Sequence, residues 1–484
     1  MWYISTRGLA PRVDFEGALF SGYAPDGGLY VPEELPQLDG ETLRQWRSLS
    51  YPSLVKELCS LFIGPELIPR DDLNGLIDRA FSRFCHEDVV HLCRLVQGLN
   101  VLELWHGVTR AFKDLSLSCT AQFLQYFLEK REKHITVVVG TSGDTGSAAI
   151  ESVLEAKNVD IIVLLPKGRC SRIQELQMTT VLRENVHVFE VEGNSDQLDV
   201  PIKAVFADLP FVEKHNLMSL NSVNWSRVLV QMAHYFFAYF RCAPSLDGCP
   251  LPTVEVVVPT GAAGNLAAGC IAQKMGLPIR LVAVVNHNDI IHRAIQQGDF
   301  SLSEAVRPSL ASAMDIQMPY NMERIFWLLS GSNSQVTRAL MEQFERTQSV
   351  QLPKELHGKL SEAVTSQSVS DEAIARAMGR CWEENRYLLC PPSAVAVSYH
   401  YQQMDGQQPS TPRCCLAPAS AAKFPEAVLA AGLTPETPED ILALEHKETR
   451  CTSMQREDDW TLMLRDTVEH LSQRWRGGSP NASA

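Results

Sequence analysis

A chain of 484 residues is longer than one hydrophobic core usually serves, so two or three lobes are expected. Hydrophobic residues make up 45% and charged residues 21%, a globular balance that excludes a disordered protein. Lys and Arg number 43 against 57 Asp and Glu, a formal charge of −14 that argues against a nucleic-acid-coating protein; any anion site must build its positive potential locally.

The opening segment Met1-Trp2-Tyr3-Ile4-Ser5-Thr6-Arg7-Gly8 has neither the charged start nor the apolar core of a signal peptide. No run of about 18 apolar residues is present to cross a bilayer. The 13 cysteines are scattered from Cys59 to Cys451 without a CxxC pair or zinc spacing, and their odd number fits reduced thiols in a cytoplasmic protein. His86 and His91 have no third ligand in the pattern, so no metal is expected.

Residues 1–95 form an N-terminal lobe of short helices and loops, punctuated by Ala24-Pro25-Asp26-Gly27-Gly28 and Ile63-Gly64-Pro65. From about 100 onward, β-branched runs at 135–139, 160–165, 187–191, 253–258 and 279–285 alternate with amphipathic helices. Leu117, Ala121, Leu124 and Leu128, for example, share one helical face. Such alternation predicts an α/β fold with mostly parallel sheets flanked by helices. The expected organisation is the lobe 1–95, an α/β core 96–430 with a helical insertion around 320–385, and an extension 431–484 ending in a disordered tail. A last strand is expected at 413–416, with Cys414 and Cys415 as buried thiols.

Two sites share the order strand, glycine turn, helix. The first runs Val139-Gly140-Thr141-Ser142-Gly143-Asp144-Thr145-Gly146-Ser147, the second Val258-Pro259-Thr260-Gly261-Ala262-Ala263-Gly264-Asn265. A turn of this kind exposes N–H groups at a helix N-terminus, where an anion is favoured, and glycine lets a phosphate approach. Neither is a Walker A loop or a GxGxxG fingerprint. Taken singly, either could merely close a tight connection.

A third element is Leu104-Trp105-His106-Gly107-Val108-Thr109-Arg110-Ala111-Phe112-Lys113-Asp114-Leu115. A lysine at the start of an apolar-faced helix is desolvated and near the positive helix end, and both favour the neutral amine that forms Schiff bases. A solvated lysine beside Asp114 is the competing reading. His106 either touches substrate or caps its own turn.

The stretch 106–114 resembles the HGPTLAFKD segment of threonine synthases, Thr141-Ser142-Gly143-Asp144-Thr145-Gly146 is identical to their TSGDTG loop, and Pro259-Thr260-Gly261-Ala262-Ala263-Gly264-Asn265 is similar to their PTGNFG loop. The similarity runs from Tyr3-Ile4-Ser5-Thr6-Arg7-Gly8 to Ala422-Lys423-Phe424-Pro425, nearly the whole chain. The resemblance implies a pyridoxal-phosphate enzyme of fold type II, related to the tryptophan synthase β subunit, with the 96–430 core binding the cofactor. It makes Lys113 the cofactor lysine and base at Cα. It makes Gly261, Ala262, Ala263, Gly264 and Asn265 the cradle of the cofactor phosphate, and puts Asp144 near the ring hydroxyl. Thr141, Ser142, Gly143 and Thr145, with Asn221, Ser222, Asn224 and Arg227, become substrate-binding residues. Arg227 suits a phosphate because guanidinium pairs with it in a bidentate fork.

The chain departs from the family near the chemistry. Cys390-Pro391-Pro392-Ser393-Ala394 stands for D-P-H-T-A, and 417–424 for A-T-A-H-P-A-K-F, so both histidines are absent. Pro418 replaces a threonine near the pyridine nitrogen, leaving Ser420 as the nearest substitute. Arg110 replaces an apolar residue and adds a charge for a carboxylate or phosphate. These changes spare the cofactor chemistry and touch the water-adding step. A phospho-lyase on O-phosphothreonine, O-phosphohomoserine or O-phosphoserine is therefore expected, ahead of a true threonine synthase or a catalytically silent relative working through protein contacts. The expected partner is a small phosphorylated amino acid, with neither nucleic acid nor membrane, and with room for a homo-oligomer.

Overall fold

In the computed structural model, which describes residues 1–406 and 411–477, the N-terminal lobe forms helices where apolar spacing is helical. Helix Tyr51–Phe62 starts at Ser50, whose Oγ accepts the Ser53 N–H, and it buries Tyr51, Leu54, Val55, Leu58, Cys59 and Phe62. Helix Arg70–Phe81 follows with Asp71 and Asp72 in its first turn, where the helix dipole favours them.

The chain then lays down β1 (His91–Arg94) and β2 (Asn100–Glu103) and crosses through helix α1 (Lys113–Arg131) to a second sheet. There it forms β3 (Ile135–Gly140), β4 (Val159–Pro166), β5 (Val186–Val191) and β6 (Leu217–Met218). Helices α2 (Asp144–Val153), α3 (Arg172–Thr179) and α4 (Ser195–Ala207) connect them. Helix α5 (Trp225–Cys242), buried along nearly its whole length, returns the chain to the first sheet. That sheet is completed by β7 (Val254–Pro259), helix α6 (Gly264–Lys274), β8 (Ile279–Val285), β9 (Val364–Ser368) and β10 (Arg413–Ala417). A late strand, β11 (Thr452–Met454), joins the second sheet beside β5.

The first sheet has the order β9-β8-β7-β10-β2-β1 and the second β11-β5-β4-β3-β6. Only β1 and β2 pair antiparallel; the other pairings in these two sheets are parallel. Consecutive buried residues such as Val137, Val138 and Val139 fit strands covered on both faces. The region expected to be a helical insertion holds helices Met322–Leu329, Ser334–Thr347, Lys354–Ala363 and Asp371–Asn385, and also the edge strand β9. The last expected strand becomes β10, in the sheet interior between β7 and β2, where both its thiols are buried.

Past 431 the described chain includes β11 and helix Trp460–Gly477, which packs Leu464, Val468 and Leu471 against α4 and its strands. The tail expected to be disordered falls, from 478 onward, outside the described residues. All 13 cysteines are free, and among the described residues no helix is long and apolar enough to cross a membrane.

The segment before α1 is stitched to the segment after β10. Leu104 donates its N–H to Ala417 O, Phe112 to Pro418 O and Ser420 to Arg110 O, at 3.1, 2.7 and 3.0 Å. The turns after β3 and β7 meet this seam at one cavity, at the carboxyl ends of parallel strands where ligands of α/β proteins gather.

Candidate active site

Lys113 opens α1 and projects into the cavity. Its neighbour Asp114 does not pair with it: Thr109 donates its hydroxyl to Asp114 Oδ1 at 2.6 Å and its N–H to Oδ2 at 3.0 Å. Gly107 packs directly over this carboxylate, and a Cβ there would come within 2.4 Å of Asp114 Cβ. The lysine is thus freed from the partner that the sequence put beside it. Burial pushes its amine down to about 8, against the pull of Asp144 and helped by Arg227 and Lys423.

The turn after β7 faces the same space. The N–H groups of Gly261, Ala262 and Ala263 donate to no acceptor among the described residues, and Ala263 sits at φ 65°, turning the chain so that α6 starts there. Gly264 and Asn265 also line the cavity. The Asn265 side chain is held from behind, its Oδ1 2.7 Å from His234 Nε2 and accepting the Tyr235 hydroxyl at 2.9 Å. Unpaired backbone donors at a helix start make an anion site.

The turn after β3 is finished differently. Thr141 Oγ1 accepts the N–H groups of Gly143 and Gly146, both at 2.9 Å, and Ser142 Oγ donates to Ala313 O at 3.1 Å. Asp144 Oδ1 accepts Gln174 Nε2 at 3.0 Å and lies 2.7 Å from Lys423 Nζ. Burial alone would raise the Asp144 carboxyl; Lys423 and Lys113 outweigh it and hold it below the usual range. Thr141, Ser142, Asp144 and Thr145 line the cavity. Gly143 does not: at φ 140° it packs against Gln174 and shapes the turn, with no surface for substrate.

Arg227 also lines the cavity, in the buried first turn of α5. Its Nη1 donates to Leu220 O at 3.1 Å and its Nε to Ser116 Oγ at 3.4 Å, while Nη2 has no acceptor among the described residues. Burial pushes this guanidinium down to about 10. Asn221 lines the wall, but its amide is committed to Gly140, donating to the carbonyl at 2.7 Å and accepting the N–H at 3.1 Å. Ser222 lines it with its Oγ accepting from Asn321.

Besides Gly143, three expected site residues lie elsewhere. Arg110 turns outward at φ 60° and makes a forked ion pair with Asp440 at 3.0 Å, so its charge is already answered. Asn224 caps α5, accepting the Ser226 N–H, and donates to the carbonyls of Leu19, Ser21 and Ser219. Ser420 caps the next turn, its Oγ accepting the Ala422 N–H. The cavity wall there is Pro392 and Pro418, which have no N–H to offer.

Other residues were not singled out from the sequence. Ser195 and Asp196 come from the first turn of α4, Asp199 from the turn that follows, and Tyr320 from the loop before helix Met322–Leu329. Lys423, buried under Asp144, was visible only as part of the A-K-F resemblance. His106 belongs to neither of its two readings: its Nε2 is 3.0 Å from Glu103 Oε1, away from the cavity. The fold does bring a third group to His86 and His91, since Asp88 approaches both within 4.8 Å. The His86 Nδ1 there accepts the Asp88 N–H at 3.1 Å.

Comparison with known proteins bears on this geometry. Residues 2–81 match the family "Threonine synthase N terminus", 96–343 "Pyridoxal-phosphate dependent enzyme" and 393–463 "Threonine synthase, C-terminal". Threonine synthase-like 2 of Homo sapiens is 81% identical over 100% of both chains. Threonine synthase of Pseudomonas aeruginosa is 36% identical, covering 99% of this chain and 100% of its own. The crystal structure of pyridoxal-phosphate-bound threonine synthase from Brucella melitensis superposes with a TM-score of 0.87 at 34% identity, over 98% of this chain and 100% of that one.

Proposed function

The chain belongs to the threonine synthase family of pyridoxal-phosphate-dependent enzymes, and from that premise we propose that it is a phospho-lyase acting on small O-phosphorylated amino acids. The observation that carries the reading is the amine of Lys113, pushed down to about 8, sharing one cavity with an unpaired N–H cradle and Arg227. Bound pyridoxal phosphate supplies an electron sink for negative charge at the substrate Cα.

The residues present suit that group. The free N–H groups of 261–263 fit its phosphate, and the Lys113 amine fits its carbonyl. Asp144 is kept ionised by Lys423 and Lys113.

Lys113 holds the cofactor and takes the proton from Cα. Thr145 lines the cavity and would hold the substrate carboxylate, joined by Ser142 once its hydroxyl turns from Ala313 O. Arg227 Nη2 is free to pair with the substrate phosphate and to stabilise the charge it gains as it leaves. For O-phosphothreonine or O-phosphoserine, the Cβ–O bond breaks with its electron pair going to phosphate. The unsaturated amine that remains takes up water, giving 2-oxobutyrate or pyruvate and ammonia. For O-phosphohomoserine a second proton must first move from Cβ.

No histidine lines the cavity among the described residues, and the 390–394 and 417–424 segments bring prolines instead. Nothing imidazole-like is there to place a water at Cβ, which favours the lyase over the synthase. The free thiols suit a reducing compartment such as the cytoplasm.

Product analysis tests the reading. Cofactor-loaded protein with O-phosphothreonine or O-phosphohomoserine is expected to release phosphate, ammonia and 2-oxobutyrate without threonine. Threonine from O-phosphohomoserine would replace the lyase with the synthase. Lys113→Ala is expected to abolish the near-visible absorbance of the holoprotein and to slow phosphate release by at least about 1000-fold.

A further inference from the structure

The cavity wall contributed by α4 holds two carboxylates, Asp196 and Asp199, an unexpected endowment for a site that receives phosphate esters. Asp196 has a structural task. Its two oxygens accept the N–H groups of Gln317 and Met318 at 2.9 and 3.2 Å, tying the segment that leads to Tyr320 across the cavity. Asp199 has none: it makes no hydrogen bond and no ion pair among the described residues, although it faces the cavity. Lys203, one turn further along, keeps its Nζ over the Tyr23 ring at 5.6 Å. Tyr320 connects this wall to Arg227, its phenol being acted on by both Asp199 and Arg227.

We propose that Asp199 is a specificity-determining residue of this cavity: its neutral carboxyl donates a hydrogen bond to a tetrahedral dianion, the phosphate of the substrate, and its ionised form repels that dianion. The proposal rests on the phospho-lyase reading and names the group that governs its phosphate subsite. A neutral carboxyl meeting an anion oxygen forms a charge-assisted hydrogen bond, whereas a carboxylate beside a dianion, sheltered from water, is strongly unfavourable.

Burial pushes the Asp199 carboxyl up to about 7, against the pull of Lys203 and with help from Asp196, so both forms exist near neutrality. The other groups around it are Asp196 and Lys203 on α4, Tyr23 from the N-terminal lobe, Tyr320, and Arg227 and Lys113 from α5 and α1. Burial holds Tyr23 well above its ordinary value, Tyr320 at about 12 and Arg227 at about 10, so none of these changes charge between pH 6 and 8.5. Burial raises the Asp196 carboxyl and its two N–H donors pull it back, so Asp199→Asn, which leaves Asp196 in place, separates the two carboxylates. In the holoprotein the Lys113 amine is bound to cofactor and does not titrate as a free amine.

Sulfate is the probe, because it stays a dianion across this range, whereas a phosphate ester changes charge near pH 6. Its binding to the cofactor-loaded full chain is measured by calorimetry from pH 6 to 8.5. The Kd is expected to rise towards tenfold per pH unit above 7 in the wild type and to stay flat in Asp199→Asn, whose amide retains a donor. A flat wild-type profile, an equal slope in Asp199→Asn, or no sulfate binding at pH 6 overturns the proposal.

Folding of the variant is checked by Tm. Asp199 in the fold keeps its proton above the unfolded value of about 3.9, so wild-type stability falls as pH rises from about 4 to 7. Asp199→Asn is therefore expected to have a higher Tm than wild type at pH 8 and nearly the same Tm at pH 4. Should this variant fail to fold, Asp199→Ser and the wild-type slope decide. Phosphate release from O-phosphothreonine is assayed in parallel. An intact sulfate slope without release removes the lyase reading and keeps the subsite; release without a slope removes the role of Asp199.

Discussion

The turns after β3 and β7 begin from one local recipe, a buried parallel strand running into glycines and then a helix, and they finish in opposite ways. In the turn after β3, Thr141 satisfies the N–H groups of Gly143 and Gly146, and Lys423 and Gln174 fix Asp144. In the turn after β7, three consecutive N–H groups remain without acceptors and Ala263 is held at φ 65°, a conformation that favours glycine. The first turn satisfies its own N–H groups and presents side chains. The second presents bare backbone, which suits an anion brought in from outside. The same strand–turn–helix unit therefore becomes a side-chain platform or a phosphate cradle according to what is left unsatisfied.

The contrast can be broken most severely at the ion pair beneath the first turn. Lys423→Met leaves the buried Asp144 short of its nearest cation and is expected to cost about 3–5 kcal/mol, seen as a lower denaturant midpoint at pH 7. Asp144 is held below its unfolded value of about 3.9, so its contribution is complete above that pH and is lost as pH falls through the lower folded value. Variant and wild type should accordingly differ most near neutrality and converge in acid.

Gly264→Val attacks the second turn. A Cβ there comes within 2.9 Å of Ser222 Cβ, so the turn must shift, and cofactor affinity is expected to fall by about 100-fold with secondary structure retained. Equilibrium dialysis of the cofactor reads this directly. Thr141→Val tests the first turn from within. Leaving the Gly143 and Gly146 N–H groups unpaired is expected to cost about 2 kcal/mol, lowering the Tm while cofactor affinity changes little. Ala263→Gly carries the smallest effect. Relief of the left-handed strain is expected to raise stability by a few tenths to about 1 kcal/mol, partly offset by unfolded-state entropy, with cofactor binding preserved. A loss of stability in that variant would show that the Ala263 methyl packs better than its backbone suffers.

Much of the site was legible because its parts are local. Lys113 stands at the start of a helix, and the residues that shape each turn lie within a few positions of its glycines. Two of the residues misplaced by sequence reasoning have partners distant in the chain. Arg110 faces Asp440, Asn224 is bonded to Leu19 and Ser21, and Ser420 is turned by its own cap once Pro418 joins Phe112. Asp199 gave no signal, since an acidic residue in an amphipathic helix is ordinarily solvated. Only the packing of α4 against the loop that carries Tyr320 turns it towards the cavity.

The sequence by itself determined the alternation of β-branched strands and helices, hence parallel sheets covered on both faces, and the positions of two glycine turns and one lysine. Periodicity and glycine act through neighbouring residues, so they need no knowledge of the distant chain. Tertiary structure alone decided which donors stay free, that Lys423 keeps Asp144 charged, that burial moves Lys113 to about 8 and Asp199 to about 7, and that Arg227 rather than Arg110 reaches the cavity. Charge state and hydrogen-bond satisfaction depend on desolvation and on partners from remote segments, and these exist only once the two sheets and the seam between them are in place.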